Sequence, residues 1–401
     1  MDDSSDGKEL LDLEDERDGF KQIFSDFLIE PIINLFERLR LPYIFSKIPK
    51  NFLYTISKGI SNAFYGDYKD EMIRTTKKLC GDLIEKKYKD RDESYRDWVA
   101  SEIVFQNGIH MTEFFLDIMT LLPYFYLFGD LDKFFKLEGI EHLNNALKQG
   151  NGVVLVSGHI GNYLFLCSYL ALRGYKVNFI LEYATFRGIL NPLRKCGVKL
   201  IPSPRPENKE IKPRIIKLID RAFKNNEIVV VMHDAGMKHH SLIEFFGERC
   251  HTPLGGSFLA IKHNAPIIPA FIKSCPKKHL HEIRFYPEFD LEEPIYEGDE
   301  LVFYNALRLN KLLEKEIRRN IIYWNNLAIY HIRKTFRKTK IIEGRPIIEN
   351  ILDEFQYYKK YLEKSYELGR NDKEIHNLLD DATEKLKKLR EQQDRIHSQA
   401  T

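Results

Sequence analysis

Five short runs rich in Val and Ile, each about one strand long, constrain this chain more than any other feature. They are GVVLVS (152–157), KVNFIL (176–181), VKLI (198–201), EIVVVM (227–232) and APIIPAFI (265–272). Between them stand segments such as IKPRIIKLIDRAFKNN (211–226), whose apolar residues recur at helical spacing. Strands that are apolar throughout have no wet face, so helices must cover both sides of the sheet they form. The reading is an α/β fold, a mostly parallel sheet flanked by helices, with helical extensions at both ends of the chain. HEIRFYPEFDL (281–291) alternates and predicts an edge strand. ELVFYNALRLNKLLEKEIRRNIIYWNN (300–326) predicts one long amphipathic helix.

The text outside this core divides the chain. Residues 1–19 are an acidic tail in which charge dominates. Residues 20–128 read as helices; in the first part Ile23, Phe24, Phe27, Leu28, Ile32, Leu35, Phe36 and Leu39 keep helical spacing among Lys and Arg. Such a segment suits a membrane interface, or equally a helix packed on the domain behind it. Residues 129–340 hold the α/β domain, and 341–401 form a charged helical extension. The N-terminus has neither the basic nor the apolar region of a signal peptide. The most apolar stretch, FFLDIMTLLPYFYLF (114–128), is too short to span a bilayer and carries Asp117 and Pro123.

Net charge is +2, which argues against nucleic acid as a partner. The five cysteines are scattered with no C-x-x-C pair, the pattern of a reducing compartment rather than of a disulfide scaffold or zinc site. HDAGMKHH (233–240) with His251 has no helical His pair, so a solvated loop is favoured over a metal site, and no metal is expected.

Reactive groups of open α/β sheets gather at the carboxyl ends of the strands. Ser157-Gly158-His159, Met232-His233-Asp234 and the loop EFFGERCHTPLGG (244–256) fall there. Gly158 and Gly161 permit close approach of a substrate, and amides near Gly158–Asn162 can face a developing oxyanion. A neutral His159 can then take a proton from an attacking hydroxyl. No Asp or Glu occurs between Glu141 and Glu182, so its orienting acid must come from elsewhere. Asp234, ending another strand, is the first candidate and Glu182, just beyond the next strand, the second. A structural histidine and a turn-forming aspartate are the bland alternatives. GHIGN lacks both the dinucleotide fingerprint and the P-loop lysine. Arg194 offers a charge for a phosphate or a carrier, or merely a surface cation, and Phe246 a wall for a core or an acyl groove.

VVLVSGHIGNYLF, VMHDAG, EFFGERCHTPLGGSFLAIKHNAPIIPAFI and EIRRNIIYWNN, in that order, resemble the bacterial lipid A late acyltransferases, within the lysophospholipid and glycerolipid acyltransferase superfamily. The resemblance covers roughly 130–335. It implies transfer of an acyl chain from an acyl carrier protein or coenzyme A thioester to a lipid or glycolipid acceptor. The place would be the cytoplasmic face of a membrane, with peripheral attachment and no cofactor. It also implies substrate-side roles for Phe246, Gly247 and Thr252, and matches Asp234 to an aspartate of the corresponding family segment. The family pattern His-x-Gly-Asn-Trp-Glu is met by His159, Gly161 and Asn162, with Tyr163 for the tryptophan; Leu164 stands where the acid belongs. Besides a thioester or ester hydrolase that would use the same residues with water as acceptor, two readings follow: an acyltransferase with His159 as base and Asp234 or Glu182 as a non-local acid, or a relative that binds lipid, acyl carrier or a protein partner without catalysis. The distance from His159 to the nearest carboxylate separates them.

Overall fold

The Val-rich runs form the centre of the molecule. A computed structural model describes residues 30–48, 50–65, 69–181, 187–203, 211–235, 241–275, 280–291, 299–328, 330 and 334–338, with isolated positions between 352 and 395. In chain order the first helices are α1 (Glu30–Arg38), α2 (Leu41–Phe45), α3 (Lys50–Tyr65), α4 (Lys69–Lys87) and α5 (Glu93–Phe128). Then follow β1 (Phe135–Glu138), α6 (Ile140–Leu147), β2 (Val153–Ser157), α7 (Tyr163–Leu172), β3 (Val177–Leu181), α8 (Arg187–Lys195) and β4 (Lys199–Pro202). The second half runs α9 (Lys212–Lys224), β5 (Ile228–Met232), β6 (Ser241–Phe245), β7 (Glu248–Thr252), α10 (Gly255–His263), β8 (Ile267–Cys275), β9 (Leu280–Phe285), α11 (Asp299–Arg319) and β10 (Lys334–Lys338).

Seven strands make one sheet in the order β1-β9-β8-β2-β5-β3-β4, and β10-β7-β6 make a second. Strands β8, β2, β5, β3 and β4 are parallel; β9 runs antiparallel to β8. Both central strands are buried along their whole length. Val153 and Leu155 of β2 join one core with α5 and α7, while Val154 and Val156 join another with α9 and α10. This two-sided burial explains why the strands are continuously apolar. The connection leaving β2 leads to β3 beyond β5, and the one leaving β5 leads to β8 beyond β2. The carboxyl ends of β2 and β5 therefore flank the switch point where such sheets open a crevice.

Three details differ from the sequence reading. Strand β9 is not an edge, because β1 pairs parallel to it on the outside; only four residues carry that strand, too few for a pattern. The EFFGERCHT stretch is no loop: β6 and β7 form a hairpin. Its two-residue turn puts both Phe246 (φ 54°) and Gly247 (φ 72°) in the left-handed region, and phenylalanine there hides the turn signal. The long helix ends at Arg319, and 321–328 continue as two short 3-10 turns.

Helix α5 is long and apolar enough to cross a bilayer by length and composition, yet most of its apolar window is buried inside the molecule. Phe114, Ile118, Leu121, Leu122 and Phe125 belong to the main core, so this helix is an internal strut. Helices α1–α3 pack along it. Leu352 and Leu386 of the C-terminal extension pack with Ile243, Phe303 and Ala306.

Candidate active site

Sheet register explains the site. Strands β2 and β5 pair with a constant offset, Val153 against Ile228 through Ser157 against Met232. Carried two residues beyond the strands, that offset sets His159 opposite Asp234, 75 residues away in sequence. Their side chains meet: His159 Nδ1 lies 2.7 Å from Asp234 Oδ1. The main-chain N–H of His159 also donates to both carboxylate oxygens, at 3.0 Å each.

Asp234 is fully buried at its side chain, whereas His159 keeps 21% of its side chain exposed. Burying a carboxylate is costly unless donors replace the lost water. Here they do. Besides His159, the indole Nε1–H of Trp324 donates to Oδ2 at 2.8 Å and the Asn326 amide donates to Oδ2 at 3.2 Å. Asn326 Nδ2 also lies 3.2 Å from His159 Nδ1. With the Nδ1 proton aimed at Asp234 that approach joins two donors, so the amide hydrogens go to Asp234 instead, where its carbonyl lies at 3.2 Å. Pinning Nδ1–H in this way leaves Nε2, without a protein partner among the described residues, as the basic nitrogen on the exposed side.

The loop between β2 and α7 is held tightly. Gly161 has φ 60°, and a Cβ there would sit 2.3 Å from the Ile272 carbonyl oxygen. A Cβ on Gly158 would lie 2.7 Å from Leu313 Cδ1 and 3.6 Å from Asp234 Cγ. The amide of Ile160 donates to the Gly158 carbonyl and that of Gly161 to the Tyr323 carbonyl, both at 2.7 Å. The amides of residues 159–161, expected to face an oxyanion, are thus all engaged internally. Helix α7 starts next, and Asn162 gives it no side-chain cap. The Asn162 side chain is wholly buried, with no partner for Oδ1 or Nδ2 among the described residues. That is an unusual expense inside a protein and marks the amide as unused by the fold.

Tyr163 sets its ring edge-on to His159, with centroids 4.7 Å apart, and stacks on Phe114. Burial, aided by the Asp234 charge, pushes its hydroxyl well above the usual tyrosine range, so it stays neutral. Leu164 points into the main core and is buried there.

The other expected site residues fall in several places or are not described. Glu182 is outside the described residues, as are 236–240 of the histidine-rich run. Arg194, on α8, donates to Asn191 Oδ1 at 3.1 Å, and its Nη2 is buried without a partner among the described residues. Thr252 accepts from Asn310 Nδ2 at 3.2 Å, which ties β7 to α11. Gly247 is a hairpin-turn residue. Phe246 reaches the site indirectly: its ring packs against Trp324 at 6.2 Å, and its N–H donates to Glu314 Oε1 at 2.7 Å. Burial raises the Glu314 carboxyl above its ordinary range. The residues around the pair that sequence reasoning did not single out are Trp324 and Asn326, with Asn325 between them, whose main-chain N–H donates to the His159 carbonyl at 2.8 Å. EIRRNIIYWNN was legible only as part of the family resemblance, because its apolar residues continue the helical pattern before it.

A family model for bacterial lipid A biosynthesis acyltransferases matches residues 93–328. Phosphatidylinositol mannoside acyltransferases of two Mycobacterium tuberculosis strains are also similar. That of CDC 1551 / Oshkosh is 26% identical over 136 residues and that of ATCC 25618 / H37Rv is 24% identical over the same length. Each match spans 33% of this chain and 42% of the relative, less than half of the curated proteins' length.

Proposed function

Because the chain belongs to the bacterial lipid A biosynthesis acyltransferase family, we propose that it moves a fatty acyl chain from a carrier-protein or coenzyme A thioester to a hydroxyl or amine of a glycolipid, with His159 as general base. The observation that carries this reading is the 2.7 Å contact between His159 Nδ1 and the buried Asp234 carboxylate. It supplies the orienting acid that Leu164 cannot. The chemistry follows. Nε2 takes the acceptor proton as the acceptor oxygen attacks the thioester carbonyl carbon. Asp234 holds the correct tautomer and stabilises the imidazolium that results. Collapse of the tetrahedral intermediate breaks the carbon–sulfur bond, and the imidazolium returns its proton to the departing thiolate. With the 159–161 amides engaged and the Phe165 N–H donating to the Asn162 carbonyl, the donors left for the oxyanion are the Tyr163 and Leu164 amides at the start of α7 and the unpartnered Asn162 side-chain amide.

An apolar face on α1–α3 supports action at a lipid surface. Leu35, Leu39, Ile44 and Phe52 are all more than half exposed, and Arg38, Arg40, Lys47 and Lys58 lie exposed among them. The direct test incubates the purified chain with palmitoyl-coenzyme A and either phosphatidylinositol mannoside or a lipid A precursor, with products read by mass spectrometry. Acylated lipid formed by the natural chain and lost in His159→Ala is the expected result. Equal product from both proteins would sink the assignment of His159. A chain that binds these lipids but never turns over would be a binding relative.

A further inference from the structure

The His159 loop lies outside regular structure, so something else must fix its geometry. Much of that task falls on one turn far along the chain. The main-chain N–H of Asn325 donates to the His159 carbonyl at 2.8 Å, and its side-chain Nδ2 donates to the Gly161 carbonyl at 3.3 Å. Tyr323 accepts from the Gly161 N–H, and Ile160 bridges to Trp324. A 3-10 turn is a weak scaffold by itself. What steadies it is α5. Asn107 Nδ2 donates to the carbonyls of Ile322 and Trp324, at 3.0 Å each. One helical turn on, His110 Nε2 lies 2.9 Å from Asn325 Oδ1, and its ring sits edge-on to Tyr323. Since Nδ2 of Asn325 is committed to Gly161, Oδ1 must be the acceptor, which places the His110 proton on Nε2.

We propose that His110, acting through Asn325, is a positioning residue for His159, and this rests on the acyl-transfer reading above. The bond from His110 decides which way the Asn325 amide faces. Without it the amide loses its orientation, Gly161 loses a donor, and the base shifts relative to its substrate. Burial supports the role by keeping His110 neutral, its pKa lowered to about 4, so that Nε2–H remains a donor with no charge beside the site.

The test compares His110→Phe, which fills the space but cannot donate, with His110→Gln, whose amide nitrogen can. With palmitoyl-coenzyme A and the acceptor lipid that the natural chain acylates, His110→Phe is expected to lower kcat about 10²-fold, the scale of an ångström-sized misplacement, with KM within about twofold. His110→Gln is expected to restore most of that loss. The low-field proton resonance of His159 Nδ1, which needs no substrate, should shift in His110→Phe and return in His110→Gln. An unchanged kcat and resonance in a folded His110→Phe protein would overturn the proposal, as would equal loss in both variants. Should His110→Phe not fold, Asn325→Ala and His110→Leu give the same reading: a loss of kcat in the double variant no deeper than in either single one supports it, and full activity of Asn325→Ala or additive losses overturn it. His159→Ala is the separating control, because activity surviving there defeats the assignment of His159 as base whatever His110 does, and a natural chain that never acylates the lipid defeats the acyl-transfer reading.

Discussion

At the scale of single residues, the proposed function rests on one carboxylate supplied from a distance. Asp234→Asn keeps the volume but presents an amide to Nδ1, so the imidazole loses its tautomer and its counter-charge; a fall of about 10²–10⁴ in kcat is expected in the same acyl-transfer assay. Leu164→Glu would restore the family pattern in sequence but not in function. Leu164 is buried in the main core and Nδ1 already has its acid. The new carboxylate would lack a partner, so destabilisation on the order of 3 kcal/mol or more in denaturant titrations, with no gain in rate, is expected. His110 adds a pH effect. The unfolded chain protonates it below its ordinary value of 6.5, whereas the folded protein resists until about 4. Between those values the unfolded state binds the extra proton, so stability falls as pH falls, by on the order of 3 kcal/mol. Denaturant midpoints at pH 7 and pH 4.5 should converge in His110→Gln relative to the natural chain.

Among elements, the two central strands were the most legible, because apolar continuity follows directly from burial on both faces. Their ends were legible too, which is why His159 and Asp234 could be named together. Register was not: nothing in VVLVS or IVVVM says which residue faces which, and only the folded sheet sets 159 against 234. The 321–328 turns escaped for another reason. Their apolar residues, Ile321, Ile322 and Trp324, continue the period of α11, so the pattern conceals the break after Arg319. The glycines of the loop are not equivalent. Gly161→Ala would drive a methyl into a backbone carbonyl from a positive φ, whereas Gly158→Ala meets the end of a flexible leucine. Thermal melts should show Gly161→Ala as the far more damaging change.

Across the whole molecule, the His159–Asp234 pair and the apolar face of α1–α3 come from separate stretches of the sequence yet share α5, which packs against both the N-terminal helices and the 321–323 turn. Removing the face should leave the pair intact. Leu35→Asp with Phe52→Asp is expected to reduce binding to phosphatidylcholine/phosphatidylglycerol vesicles by at least about tenfold, since each apolar side chain contributes ~1.5–3 kcal/mol when withdrawn from water. A flotation assay measures it, and unchanged partitioning would remove α1–α3 from the membrane reading.

The link between His110 and Asn325 spans 215 residues. On a ribosome adding roughly 5–20 residues per second, Asn107 and His110 emerge some 10–40 s before the turn that they hold. For that interval a long apolar helix carries polar groups whose partners have not been translated, so the nascent chain is exposed to aggregation and to misdirected insertion into lipid. No ribosome-bound fragment ending before residue 326 can assemble the proposed base with all its supports, which confines activity to chains elongated past that residue.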